Sequence, residues 1–273
     1  MTEKMMRAVL LTGHGNIDKL EYRDDVPIPE PDPDQVLLEI GACGLNNTDV
    51  NTRVSWYSKS DDAEDAAWGG SSISFPLIQG ADAVGTIVAV GDSADSTLLG
   101  KRVMIDVWIR DSDDPLNMDK CRYFGSDVNG GYAEYAVIDY RNAYPVESDL
   151  SNEELATFAT SYVTAENMLD RAEVVEGDVV LIPGASGGVG SALIQLANRR
   201  GATTIAMASE DKHEAVGAIG PDGLLSRNPA DLAAELGETT GRDSVDVVAD
   251  VVGGPMFPTM LDVLARGGRY TCS

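Results

Sequence analysis

The chain has 273 residues, a hydrophobic content of 43% and a formal net charge of −25 at pH 7. This length accommodates one large domain or two smaller ones, and the apolar content supports buried cores. The negative charge repels nucleic acids and anionic lipids, so the composition excludes both as main partners.

Targeting signals and cysteines indicate an ordinary intracellular chain. No apolar run has the length of a membrane-spanning helix, and the N-terminus leads directly into the strand-like Arg7–Leu11 instead of a signal peptide. We therefore expect a cytoplasmic protein with no membrane partner. Cys43, Cys121 and Cys272 are too few and too far apart for a disulfide framework or a metal knuckle. The acid excess is typical of proteins from saline habitats and also of ordinary solubility charge, and composition does not distinguish the two.

The N-terminal part, residues 1–150, has the pattern of short strands separated by turns. The predicted strands are Arg7–Leu11, Gln35–Ile40, Gly85–Gly91, Lys101–Ile105 and Tyr135–Ile138. Irregular polar segments at 54–74 and 110–130 interrupt this pattern. We expect a β-rich, barrel-like domain with long loops.

From residue 151 onward, helices and strands alternate. A capping box at Ser151–Glu154 predicts a helix that continues to about Ala172. The predicted strands are Val179–Ile182, Thr204–Ala208, Val245–Asp250 and Arg269–Thr271, and the predicted helices are Gly190–Arg200, Asn228–Gly237 and Met256–Arg266. This alternation predicts an α/β fold with a doubly wound parallel sheet over residues 151–273.

A glycine-rich loop lies between the first of these strands and its helix. Its residues are Gly184, Ala185, Ser186, Gly187, Gly188, Val189 and Gly190. Glycines allow a tight turn and a close approach of the backbone, and the following helix N-terminus favours a pyrophosphate. The loop could also be a purely structural turn. Because strand, loop and helix occur in the required order, we favour dinucleotide binding on a Rossmann-type sheet.

The end of the second strand bears on which nicotinamide cofactor binds. An NAD site usually has an acidic residue there, which holds the ribose hydroxyls. Here Ala208 is followed by Ser209 and, three residues later, Lys212, a hydroxyl and an ammonium that suit a 2′-phosphate. Glu210 and Asp211 lie between them, and Lys212 could simply be a solvated lysine at a helix start. The pattern favours NADPH, with NADH as the less favoured cofactor.

At this point the sequence resembles the medium-chain dehydrogenase/reductase superfamily, and within it the zinc-independent quinone oxidoreductase-like branch. The motifs that carry the resemblance are Gly44–Arg53, Gln79–Gly91, Gly130–Tyr135, Gly184–Gly190, Asp250–Gly254 and Gly267–Arg269. The resemblance implies a GroES-like β-barrel domain followed by a Rossmann domain, with the active site in the cleft between them. It also implies that Thr164, Val252 and Gly253 help to bind the cofactor.

The resemblance raises the question of a catalytic zinc. Zinc-dependent members have a cysteine three residues before the position of Asp49, where this chain has Asn46. They have a histidine after the position of Gly80, where this chain has Ala81, and the third ligand position falls near Thr160. All three ligands are replaced, so we expect no catalytic zinc. The structural zinc lobe of the family needs four close cysteines, and residues 110–130 contain only Cys121.

Without a Lewis acid the easier reaction is reduction of an activated C=C bond or a quinone, in which hydrogen-bond donors stabilise the developing negative charge. By resemblance, the candidate catalytic residues are Asn46, Thr48 and Tyr57, and the expected substrate is a small apolar enone or quinone. Alternatively, Asn46 could only cap a helix and Tyr57 could only pack in a loop. His14 and His213 lie in no motif, and we expect them at the surface or as caps.

Two other functions stay open: an alcohol dehydrogenase-like enzyme with an atypical metal site, and a nucleotide-binding protein without turnover. Family members continue past the position of Ser273. We therefore expect this Rossmann domain to be truncated, without the last strand and the return segment that completes the barrel domain, and its catalysis to be compromised. A homo-oligomer is expected for the full-length family form.

Overall fold

The computed structural model describes residues 4–57, 73–110 and 121–273. The chain divides into two compact units, Met1–Thr160 and Ser161–Ser273. Within the described residues, no helix is both long enough and apolar enough to cross a membrane.

The first unit is built mainly of strands, and its helices are short. Its strands are β1 (Met5–Leu11), β2 (Leu20–Pro27), β3 (Gln35–Gly44), β4 (Leu77–Ile78), β5 (Asp82–Val90), β6 (Arg102–Ile105), β7 (Trp108–Arg110), β8 (Cys121–Tyr123), β9 (Tyr135–Asp139) and β10 (Ala143–Pro145). Its helices are α1 (Asn47–Arg53) and α2 (Asn152–Leu155), and α3 (Ala159–Arg171) begins in it. The strands form sheets in the orders β2-β1-β4, β10-β6-β5-β3-β9 and β7-β8.

The five-stranded sheet carries the main core of this unit. In β3, Val36 and Leu38 are buried while their neighbours are less so, the period of two expected of a strand with one buried face. They pack with Ile87 of β5 and Ile138 of β9. Because β3 and β5 are antiparallel, the end of β3 lies beside the start of β5 and Gly44 pairs with Asp82.

The second unit is a parallel sheet flanked by helices. Its strands are β11 (Val179–Pro183), β12 (Thr203–Ala208), β13 (Gly223–Ser226), β14 (Val245–Asp250) and β15 (Leu264–Cys272). Its helices are the greater part of α3, then α4 (Gly188–Arg199), α5 (His213–Gly217), α6 (Leu232–Thr240) and α7 (Phe257–Asp262). The strand order β13-β12-β11-β14-β15 is that of the Rossmann sheet, with a switch point beside β11. The predicted fold class is confirmed.

Both faces of this sheet are buried, as parallel sheets require. Val180 and Ile182 of β11 lie in one apolar cluster with residues of α3 and α4. Val179 and Leu181 point to the opposite face and join a second cluster with residues of α6 and α7. The run Val179–Pro183 is buried throughout, so β11 is the centre of the unit.

Several element boundaries differ from those predicted from sequence. The capping box at Ser151 begins the short helix α2, which ends at Leu155, and α3 is a separate helix. Helix α6 is capped by the Asp231 side chain, not by Asn228, and ends at a left-handed Gly241. Strand β13 was not predicted. Residues 264–266 belong to β15 and not to the preceding helix.

One further expectation needs correction, because strand β8 lies in a segment predicted to be irregular, where it pairs with β7. The expectation for the two histidines was a surface position or a capping role. His14 is half-buried with its ring edge-on to Phe75, and its Nδ1 bonds the carbonyl of Thr52 in the last turn of α1 at 3.1 Å, in line with a capping role. His213 bonds the carbonyl of Ala208 at 3.1 Å and so covers the end of β12, in line with a capping role.

Candidate active site

The register of β3 and β5 brings Asn46 next to Asp82 in the first unit. Asn46 follows β3 by two residues and precedes α1 as its N-cap, in an extended conformation. Its side-chain Nδ2 donates to Asp82 Oδ2 at 2.9 Å. The side chain of Asn46 therefore has a partner outside its own helix.

Asp82 is the centre of a small polar network. Its side chain is 2% exposed, and its Oδ1 accepts from the backbone N–H and the hydroxyl of Thr160 at 2.8 and 2.5 Å. The Tyr123 hydroxyl lies 3.4 Å from Thr160 Oγ1. Because the Thr160 hydrogen is directed at a carboxylate, Tyr123 is the donor in that contact. Burial is the main cause that raises the pKa of Tyr123, so its phenol stays protonated.

A second buried carboxylate, Asp49, anchors the start of α1. Its Oδ2 accepts from the Asn46 backbone N–H at 2.9 Å and from the Tyr132 hydroxyl at 2.8 Å. Burial is the main cause that raises the pKa of Asp49, and its hydrogen bonds oppose that rise in part. Asn46 and Asp49 thus form a capping box at the start of α1, in which the Asp49 carboxylate accepts from the Asn46 backbone N–H and the Asn46 side chain faces the Asp49 backbone N–H.

Thr48 and Tyr57 are also brought together. The Tyr57 hydroxyl donates to Thr48 Oγ1 at 3.2 Å and accepts from Asn51 Nδ2 at 3.4 Å. Since the hydrogen of Tyr57 is used on Thr48, the hydrogen of Thr48 is the one left for a ligand. Trp68, which belongs to the irregular segment 54–74 together with Trp56, lies outside the described residues.

The donor set at the zinc positions does not fit zinc. Asn46 and Thr160 offer an amide and a hydroxyl, Ala81 offers nothing, and both oxygens of Asp82 accept hydrogen bonds. Protein zinc sites use thiolate, imidazole and carboxylate ligands. Burial, with Asp49 and Asp82 nearby, raises the pKa of the Cys43 thiol and keeps it protonated. In the part of the chain that the structure describes, no three His, Cys, Asp or Glu residues are grouped as metal ligands.

The second unit places the glycine-rich loop between β11 and α4. Gly184 has a φ of +70°, and a Cβ on Gly190 would lie 2.3 Å from the Gly184 carbonyl oxygen. Gly187 is the N-cap of α4 and has no side chain with which to occupy the first N–H groups of the helix. Ala185 N–H bonds the Met207 carbonyl at 3.1 Å, which holds the loop beside β12. This backbone fits a pyrophosphate.

Two neighbouring segments contact this loop. A Cβ on Gly188 would lie 2.6 Å from Ser161 Oγ, one turn before Thr164 on α3. A Cβ on Gly184 would lie 2.7 Å from the side chain of Val252. The turn after β14 is held by Asp250, whose Oδ1 accepts from the N–H groups of Val252 and Gly253 at 2.7 and 3.0 Å. Asp250 also accepts from the Tyr270 hydroxyl.

The end of β12 carries both basic and acidic groups. Ser209 and Lys212 follow the strand, as predicted, and Lys212 is exposed. A hydrogen bond from the Ser209 side chain is the main cause that lowers the pKa of Asp211, so an ionised carboxylate lies beside Ser209. The 2′ end of a bound cofactor would therefore meet a mixed charge pattern here.

Comparisons with known proteins give the family. Residues 32–148 match the family described as alcohol dehydrogenase GroES-like domain, and residues 188–273 match the family described as zinc-binding dehydrogenase. The NAD-dependent alcohol dehydrogenase of Sulfurisphaera tokodaii is 30% identical over 97% of this chain and 77% of its own length. The chain belongs to the medium-chain dehydrogenase/reductase superfamily.

Other members of the superfamily are similar over nearly all of this chain. The human quinone oxidoreductase is 28% identical over 98% of this chain and 72% of its own length. A crystal structure from Sinorhizobium meliloti, of a protein assigned provisionally to the alcohol dehydrogenases, is 47% identical and superposes with a TM-score of 0.92. That match covers 99% of this chain and 75% of the other. The chain is thus a dehydrogenase/reductase of this superfamily. Its relatives include proteins named as alcohol dehydrogenases and proteins named as quinone oxidoreductases.

Sequence reasoning overlooked three residues that the structure ties to these sites: Asp82, Ser161 and Asp250. A signal existed for Asp82 and Asp250, because each is a carboxylate at one end of a largely apolar strand, and a buried charge there needs specific partners. Ser161 had no comparable signal, since its role depends on how closely α3 approaches Gly188.

Proposed function

We propose that this protein transfers hydride from NADPH to an activated C=C bond or a quinone without a catalytic zinc. The observation that carries the proposal is the network around Asp82, in which Asn46 and Thr160, at two of the zinc positions, both donate hydrogen bonds to the Asp82 carboxylate. The naming of relatives as quinone oxidoreductases supports the same reaction.

The second unit has the residues to hold the cofactor. The glycine-rich loop and the N-terminus of α4 would bind the pyrophosphate, with Val252, Gly253 and Thr164 beside it. When bound, the nicotinamide supplies the hydride. Ser209 and Lys212 would take the 2′-phosphate, and Asp211 would oppose them, so we expect a preference for NADPH that is moderate in size.

The first unit supplies hydrogen-bond donors. As hydride reaches the β carbon of an enone, negative charge collects on the carbonyl oxygen. Thr48 would donate its hydroxyl hydrogen to that oxygen, with Tyr57 behind it donating to Thr48 Oγ1. Asn46 would donate through the second hydrogen of Nδ2, because the first is used on Asp82. A proton from solvent then completes the reduced product.

The test is steady-state consumption of NADPH with a panel of small enones and quinones, beside oxidation of simple alcohols with NADP⁺. Turnover of the panel is expected, and Thr48→Val should reduce it more than Tyr57→Phe. Metal analysis of protein purified without added metal should find no stoichiometric zinc. Alcohol oxidation alone, together with zinc lost in Asn46→Ala, would show instead an alcohol dehydrogenase, which the names of several relatives favour.

Cofactor preference is measured separately by fluorescence titration with NADPH and NADH. Lys212→Ala should weaken NADPH more than NADH, because only NADPH carries the 2′-phosphate. Asp211→Asn should strengthen NADPH relative to NADH. Tighter binding of NADH by the wild-type protein would refute the preference for NADPH.

A further inference from the structure

The side-chain amide of Asn46 has two chemically different ends, and its partner decides which end faces where. Nδ2 is a donor and Oδ1 is an acceptor, whereas a carboxylate can only accept. The contact of 2.9 Å with Asp82 therefore requires that Nδ2 face the carboxylate. Oδ1 is then turned away from Asp82 and toward the Asp49 backbone N–H in the capping box of α1, so the two contacts favour the same orientation.

Asp82 is itself held in one orientation. Its Oδ1 is committed to Thr160, which donates both its backbone N–H and its hydroxyl. Gly44 packs tightly against it, since a Cβ on Gly44 would lie 3.1 Å from Asp82 Cβ. The side chain is 2% exposed, so water does not compete for Oδ2. Oδ2 is thus left for Asn46.

We propose that Asp82 is a positioning residue that fixes the Asn46 amide so that its nitrogen, not its oxygen, occupies the donor position. This inference rests on the proposed function, in which Asn46 donates to the oxygen that gains negative charge. Asp82 touches neither substrate nor cofactor in this role and acts only through Asn46.

The decisive variant is Asp82→Asn, which has nearly the same shape. Its remaining oxygen can still accept from Thr160, but its new amide nitrogen faces Asn46. Two donors cannot bond each other, so Asn46 should turn over and present Oδ1 where Nδ2 had been. The substrate oxygen then meets an acceptor, and kcat should fall on the order of 100-fold, the usual effect of losing one such donor. Affinity for NADPH should be unchanged, and Asp25→Asn, an exposed acid in the same unit, is the control for charge.

A double variant separates positioning from support of the fold. Asn46→Asp combined with Asp82→Asn exchanges the carboxylate and the amide, so the hydrogen bond and the net charge are kept. The melting temperature should stay near that of the wild type, while kcat should stay about 100-fold low because position 46 no longer carries a donor. Recovery of kcat together with the melting temperature would overturn the proposal and make the network purely structural.

Side-chain amide signals in a ¹⁵N–¹H NMR spectrum test the orientation without any turnover. In the wild type, one Asn46 Nδ2 proton should be shifted downfield by its bond to the carboxylate, and Asp82→Asn should remove that shift. If both Asn46 Nδ2 protons of the wild type have the chemical shifts of an ordinary side-chain amide, the proposal is overturned. This test uses the wild type alone, so it does not depend on whether the variant folds. The downfield signal without any enone or quinone reduction would instead refute the proposed function and leave the orientation established.

Discussion

Gly190→Ala is a single substitution that should directly distort the backbone of the glycine-rich loop. A Cβ at this position would lie 2.3 Å from the Gly184 carbonyl oxygen and 2.7 Å from Ala185 Cα, both of them backbone atoms that no rotamer change can move. Since ordinary contacts begin near 3.4 Å, the loop and the start of α4 must separate by about 1 Å. The loop can then no longer hold its N–H groups in the geometry that a pyrophosphate needs.

Two magnitudes follow from this clash. Overpacking of this kind costs about 1–3 kcal/mol, which corresponds to a melting temperature lower by roughly 2–12 °C for a chain of this size. Losing one hydrogen bond to a charged phosphate costs about 1.5–3 kcal/mol, so NADPH should bind roughly 10–150-fold more weakly. Fluorescence titration and thermal melting measure the two effects.

Gly237→Ala is the matched control for that variant. It lies inside α6 in the same unit, and a Cβ there meets nothing within 4 Å. Alanine is the better helix former by about 1 kcal/mol, so this control should melt at a slightly higher temperature and bind NADPH normally. If Gly190→Ala melts and binds like Gly237→Ala, the close approach of α4 to Gly184 is wrong.

Two further predictions concern charge. The pKa of Asp49 is raised above 3.8 in the folded protein, so the folded state binds the proton of the Asp49 carboxyl group more tightly than the unfolded chain does. Protonation of Asp49 therefore stabilises the folded state in acid, and this stabilisation is lost as pH rises through the folded pKa. The free energy of unfolding of the wild type relative to Asp49→Asn should therefore fall as pH is raised from about 4 to about 7, and a difference independent of pH would contradict this. With 45 acidic residues against 20 basic ones, raising KCl from about 0.1 to about 1 M should raise the melting temperature, because the screening length falls from about 10 to about 3 Å. An unchanged melting temperature would refute a large contribution from charge repulsion.

The parts of the fold that could be predicted from the sequence are those that depend on residues adjacent in the chain. Val179–Ile182, the glycine-rich loop and the following helix are adjacent in the chain, so their order alone identified the Rossmann start. Strand β13 was not predicted because it has only four residues, Gly223–Ser226, and their sequence does not alternate between apolar and polar residues. The start of α6 was misplaced because Asn228-Pro229 and Asp231 both resemble helix starts, and only the contact of the Asp231 side chain with Ala234 N–H decides between them.

The candidate site in the first unit depends on contacts that are distant in sequence. Asn46 could be singled out from its motif, but its partner Asp82 lies 36 residues away. They meet only because Gly44 pairs with Asp82 across β3 and β5, a register that contains two irregularities. Local pattern does not specify such a register to within one residue. Thr160 is farther still, 78 residues from Asp82.

These distant residues are nevertheless constrained together by one physical requirement. Asp82 is buried, and a buried carboxylate without donors is destabilised by several kcal/mol. Two of the three positions expected to carry zinc ligands in zinc-dependent members here carry an amide at Asn46 and a hydroxyl at Thr160, and both donate to this carboxylate. Apolar residues at the same two positions would leave it without those donors. Asp82 therefore explains the residue types at both positions. Replacing either donor alone should lower the free energy of unfolding by more than the exposure or the local contacts of that residue would suggest.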